Sequence, residues 1–183
     1  MMGAFTVNMK TVIVVLAVLV VAVSAKRTKI SSLRATLEQP FIARVDQIGE
    51  NDAIEIQGIV NATSNFTITL VEKGGESSHI ERVDKNTLKS YNLIGTTETD
   101  LKTVTYDGIP SDGSVNIRLE FKKLGKVLIN GVAINELTFG RGRVNYKRIK
   151  NIEVGGFRLL SAVNAVPKRS PPPKPYNPSR RLN

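Results

Sequence analysis

From residue 41 onward the chain alternates apolar and polar residues in short runs, and a period of two can be satisfied only by strands. In S-N-F-T-I-T-L-V-E (64–72), Phe66, Ile68 and Leu70 alternate with Asn65, Thr67 and Thr69, so one face is buried and the other wet. The pattern returns in S-V-N-I-R-L-E-F (114–121), with Val115, Ile117, Leu119 and Phe121 on one side and Asn116, Arg118 and Glu120 on the other. One wet face per strand marks antiparallel sheets. Asn130-Gly131, inside K-V-L-I-N-G-V-A-I, predicts a two-residue hairpin, because both central residues of a type I′ turn need positive φ. Further turns are marked by Gly49 to Asp52, Gly74-Gly75, Ile109 to Gly113 and Gly155-Gly156. No stretch after residue 40 sustains a helical apolar period, and no fixed-period repeat is present. The expectation is an all-β domain, a sandwich or barrel, over residues 36 to 166.

The ends of the chain read differently. After Lys10, T-V-I-V-V-L-A-V-L-V-V-A-V-S-A (11–25) is an apolar run closing on small residues, the pattern of a secretory signal peptide over residues 1 to 25. It is shorter than the roughly 20 residues a spanning helix needs. A secreted, extracellular protein follows, with residues 26 to 35 as a linker. There is no cysteine, so packing alone must hold the exported fold. The tail from Pro167, P-K-R-S-P-P-P-K-P-Y-N-P-S-R-R-L-N, is Pro-rich and holds five basic and no acidic residues, and is expected to be extended and disordered. The whole chain carries a net charge of +10, but residues 26 to 166 contain 20 basic against 16 acidic residues. The domain itself is only mildly basic.

Catalysis finds little support. His79 is the sole histidine, which excludes a histidine-rich metal cluster; there is no cysteine nucleophile, no G-x-S-x-G elbow and no phosphate-cradling glycine loop. Residue types alone leave a glycosidase carboxylate pair open, but no spacing positions one. A non-enzyme without cofactor or metal is expected.

The order of segments carries a resemblance. P-F-I-A-R-V (40–45) leads to A-I-E-I-Q-G-I-V-N-A-T-S-N-F-T-I-T-L (53–70), then to S-H-I-E-R-V (78–83), G-S-V-N-I-R-L-E-F (113–121), the Asn130-Gly131 hairpin and I-K-N-I-E-V-G-G-F-R-L-L-S-A-V (149–163). In this order they resemble the galectin family across about residues 38 to 164. The resemblance implies a two-sheet antiparallel jelly-roll sandwich that binds glycans or glycoproteins across one sheet. The family pattern, H-x-N-P-R, then Asn, then W-x-x-E-x-R, implies His79, Arg82, Asn92 and Glu98 as carbohydrate-binding residues. Here the chain departs from the pattern: Arg82 stands three residues after His79 rather than four, Glu81 replaces the Asn, and no tryptophan exists. A spacing of three puts His79 and Arg82 on opposite faces of a strand unless a bulge intervenes. The missing ring removes a stacking platform, so an altered glycan specificity is expected.

Two other features stand beside this. Asn61-Ala62-Thr63 and Asn65-Phe66-Thr67 are N-glycosylation sequons, usable where exposed in an exported chain. R-G-R-V-N-Y-K-R-I-K (141–150) gathers Arg141, Arg143, Lys147, Arg148 and Lys150. With the tail, this segment suits sulfated glycans or an anionic membrane surface. The alternative function is therefore an interaction module that has lost sugar binding and attaches through these charges. Nucleic acid is not an expected partner, since no recognition motif accompanies the charge.

Overall fold

The structure, a computed structural model, describes residues 29–45, 48–61, 63–139 and 145–166. The signal-like residues 1–25, the tail 167–183, Arg141 and Arg143 lie outside them. Twelve strands follow in chain order: β1 (Lys29–Ala35), β2 (Phe41–Arg44), β3 (Ala53–Val60), β4 (Phe66–Glu72), β5 (Ser77–Arg82), β6 (Thr87–Ile94), β7 (Thr97–Thr105), β8 (Ser114–Glu120), β9 (Gly125–Ile129), β10 (Val132–Phe139), β11 (Ile149–Gly155) and β12 (Phe157–Val166). A 3-10 turn at Tyr146–Arg148 precedes β11.

The strands form two antiparallel six-stranded sheets, ordered β1-β12-β3-β8-β9-β10 and β2-β11-β4-β5-β6-β7. The chain changes sheet repeatedly, which wraps both around one core. Phe66, Ile68 and Leu70 of β4 are fully buried, as are Ile117, Leu119 and Phe121 at β8. The period of two thus assigns the inward face correctly. Phe66 meets Phe157 at 5.9 Å between ring centroids, and Phe121 meets Phe139 edge-on at 5.2 Å. Each such buried ring contributes roughly 1.5–3 kcal/mol by leaving water.

The turns use the chemistry read from the sequence. Asn130 (φ 51°) and Gly131 (φ 82°) close the β9–β10 hairpin in the left-handed region, and the Asn130 side chain accepts a bond from the Asn116 N–H at 2.8 Å. Gly156 (φ 83°) turns the chain from one sheet to the other between β11 and β12. A Cβ there would stand 2.2 Å from the Asn65 carbonyl oxygen, so glycine lets this corner pack on the start of β4.

One boundary is corrected. Residues 29–35, expected as part of a linker, form β1 and pair with β12. K-I-S-S-L-R-A lacks a clean alternation, and its place at the sheet edge comes from the partner strand rather than from its own pattern.

Candidate functional site

The outward face of β4 to β7 carries the candidate chemistry. The ladders on both sides of β5 run from Ser77 to Arg82 without a register shift. With no bulge, side chains alternate strictly: Ser78, Ile80 and Arg82 are buried, while His79 and Glu81 are half-exposed on the other face. His79 pairs across with Thr69 of β4 and Tyr91 of β6, and Thr69 pairs with Glu153 of β11. A row Glu153, Thr69, His79, Tyr91 therefore crosses the sheet.

His79 is tightly held. Its Nε2 lies 2.8 Å from the Ser77 hydroxyl and its Nδ1 3.3 Å from the Thr69 hydroxyl. The imidazole stacks on the Tyr91 ring, with centroids 4.6 Å apart and planes 1° from parallel. That spacing is close to the interstrand distance of about 4.8 Å, as expected for rings on directly opposed residues. The Tyr91 hydroxyl donates to Glu81 Oε1 at 2.7 Å. Lys89 places its ammonium 4.6 Å from the Tyr91 centroid and 3.5 Å from Glu98.

Burial sets the protonation of this group. It is the first cause holding His79 below its ordinary value, and Lys89 acts the same way against the opposing pull of Glu81 and Glu98. Burial, followed by the bond to Glu81, pushes the Tyr91 hydroxyl far up. At neutral pH the face presents a neutral imidazole and a neutral phenol. Because the folded state resists protonating His79, the unfolded chain binds the extra proton first as pH falls. Stability is then lost below the ordinary value of 6.5 until the folded-state His79 itself titrates. The thermal midpoint of the native protein is expected to fall between about pH 7.5 and about pH 5.5, and His79→Gln to flatten that fall. Identical profiles for the two proteins would contradict this account.

The four residues expected to touch carbohydrate divide two and two. His79 and Glu98 stand on the outward face, with Glu98 paired in register to Leu93. Arg82 and Asn92 are corrections: both point into the sandwich, at 3% and 2% exposure. Arg82 donates to the carbonyls of Asn61 (3.2 Å), Ser64 (3.5 Å) and Lys85 (2.8 Å), which ties the β3–β4 connection to the β5–β6 turn. Asn92 accepts from the buried Ser78 hydroxyl at 2.7 Å and donates to Asp100 at 3.0 Å. Asp100 (φ 54°) sits where β7 slips register against β6, so Asn92 secures an irregularity of the edge strand.

Sequence reasoning missed Tyr91, Lys89, Thr69, Ser77 and Glu81. The signal was the same alternation: in T-L-K-S-Y-N-L-I, Lys89 and Tyr91 oppose Leu88, Ser90 and Asn92. A family pattern directed attention to Asn92, one residue away from the outward side chain.

The remaining candidates lie elsewhere. Lys147, Arg148 and Lys150 are exposed, and Arg148 and its neighbour Asn145 are both tied to the buried Glu72 carboxylate. The Lys73 N–H bonds the Arg148 carbonyl at 3.1 Å, which brings a further exposed lysine beside them. Asn61 and Asn65 are exposed at either end of the β3–β4 connection. They line an open cavity of about 640 Å³ with Leu37, Glu38, Phe157 and Arg158. No residue of the His79 row lines that cavity, and an open sheet face needs none. On the outward face of the other sheet Arg118 is bound to Glu55 and Glu120, and Lys122 to Glu120. Among the described residues no three His, Asp or Glu side chains gather as a metal site.

No family model and no curated protein matches the sequence. Solved structures match in fold. Sheep galectin-11 in complex with glycerol superposes with a TM-score of 0.60 at 11% identity, over 69% of this chain and 97% of that one. An arginine-to-asparagine variant of human galectin-16 gives 0.60 at 13% identity, over 72% and 97%. The Caenorhabditis elegans galectin LEC-6 gives 0.60 at 13% identity, over 75% and 99%. The domain therefore has the galectin-like jelly-roll fold, and its sandwich spans nearly the whole of each of these chains.

Proposed function

We propose that this domain is an exported, non-catalytic carbohydrate-binding module, with an altered glycan specificity, that uses the outward face of β4 to β7. The observation that carries the reading is His79, held by Thr69 and Ser77 and stacked on Tyr91 on that face. Hydroxyls, a neutral imidazole and the Glu81 and Glu98 carboxylates supply donors and acceptors for sugar hydroxyls, while an aromatic ring suits the apolar side of a sugar. Altered specificity follows because neither Arg82 nor Asn92 reaches this face and no tryptophan exists in the chain. Export rests on the signal-like run Thr11 to Ala25. In that setting the exposed Asn61 and Asn65 are candidate N-glycosylation sites.

The test is binding of lactose, together with an array of uncharged oligosaccharides. The expected result is a signal that His79→Ala and Tyr91→Ala each weaken by at least about tenfold, the equivalent of one hydrogen bond or ring contact of about 1.4 kcal/mol. A signal indifferent to both substitutions would overturn the assignment of this face.

A second reading is attachment to sulfated glycans or an anionic membrane surface. It is favoured by one observation, the grouping of Lys73 with Lys147, Arg148 and Lys150. Such binding is electrostatic and must weaken with salt.

A further inference from the structure

Tyr91 is the one aromatic side chain that the described residues place outward on β4 to β7. Its ring has two faces, and both are occupied. His79, on the neighbouring β5, covers one at 4.6 Å. Lys89 lies 4.6 Å over the ring, and its partner Glu98 stands on β7, across β6 from His79. The ammonium therefore takes the face that looks over the edge strand. The two contacts differ in how firmly they are held. The imidazole is fixed by hydroxyls at both nitrogens and by direct opposition across the ladder. Lys89 is held by a cation–π contact and by a 3.5 Å pair to Glu98, the side chains being 25% and 47% exposed, and pairs open to solvent in this way are weak.

We propose that Lys89 is an internal occupant of the sugar platform: the Tyr91 face over β7 is where the apolar side of an uncharged saccharide lies, and the Lys89–Glu98 pair competes with it. This rests on the carbohydrate-binding reading above and adds the residue that sets affinity and ligand class. To bind, the sugar displaces the ammonium, which swings into water. The cost is the cation–π contact and a screened ion pair. Anionic sugars gain little from the exchange, because Glu81 and Glu98 flank the ring with two carboxylates against the one lysine.

Competition of this kind gives a signature opposite to that of an ordinary contact residue. Removing Lys89 strengthens binding. Salt, which screens the exposed pair, strengthens it too.

The experiment is titration of lactose, and of the uncharged oligosaccharides of the array, into the native protein, Lys89→Ala and Tyr91→Ala, at low and high salt, with folding confirmed by circular dichroism. Lys89→Ala is expected to bind on the order of three- to tenfold tighter than native, consistent with losing one exposed cation–π contact and one ion pair. The native affinity is expected to rise with salt and that of Lys89→Ala to stay flat; Tyr91→Ala is expected to lose binding. Binding by Lys89→Ala alone, with the native chain at background, supports the same conclusion. Native binding that is unchanged or weakened by Lys89→Ala, or that does not rise with salt, overturns this inference and leaves the carbohydrate reading standing. Absence of binding in all three proteins, to lactose and to every uncharged oligosaccharide of the array, overturns both. The salt series needs no variant, so it decides the matter even where a substitution disturbs folding.

Discussion

Phe66→Ala is expected to lower the stability of the domain by about 3–5 kcal/mol, the range for deleting a fully buried phenylalanine. Phe66 is 0% exposed and packs against Phe157, the first residue of β12, at 5.9 Å. It sits where both sheets close at one end of the core: β4 belongs to one sheet, β12 to the other, and the Gly156 corner passes over its backbone. Such a site cannot collapse, because strands on both sides hold the void open. A domain of this size has a total stability of about 5–15 kcal/mol, so the loss takes a large share of it. Urea titration of the two proteins measures the difference directly. Phe66→Leu keeps most of the volume and should cost less than about 1.5 kcal/mol. A loss below about 1 kcal/mol for the alanine would mean that Phe66 is not central to the core.

Arg82→Ala is expected to cost about 3 kcal/mol, and to leave saccharide affinity of the folded protein within about twofold of native. Its guanidinium reaches backbone carbonyls on two separate connections, among the described residues Asn61 and Ser64 on one side and Lys85 on the other. Replacement removes those charge-assisted bonds and empties a buried space. Arg82→Lys keeps the charge but not the planar fork, so it should recover little of the loss. Thermal unfolding and lactose titration together separate the two outcomes. Weakened binding at unchanged stability would place Arg82 against the ligand and contradict its inward direction.

Arg82 also shows how far the sequence could be read. The three-residue spacing from His79 already implied opposite faces; what was open was whether a bulge would reverse it, and a bulge is a property of a ladder rather than of one strand. The continuous pairing of β5 with both neighbours settles that point. Asn92 matches the second-strand Asn of the galectin pattern, yet its alternation with Leu88 and Ser90 assigns it inward. Its role beside Asp100 is a contact between residues on two strands at an irregular register, which no local pattern encodes. β1 was overlooked because an edge strand is specified by its partner, and K-I-S-S-L-R-A on its own reads as a connection.

The sequence by itself determined an antiparallel all-β domain, a sandwich or barrel, together with the inward set of each central strand and the Asn130-Gly131 hairpin. These follow from side-chain period and turn stereochemistry, which act within a few residues. Only the tertiary structure decided which residues share the outward face as neighbours. The stack of His79 on Tyr91, the Lys89–Glu98 pair across that ring and the removal of Arg82 and Asn92 to the interior all depend on how β5, β6 and β7 are registered against one another. Register is set by the packing of the whole sheet, since a slip of one residue exchanges every inward side chain for an outward one.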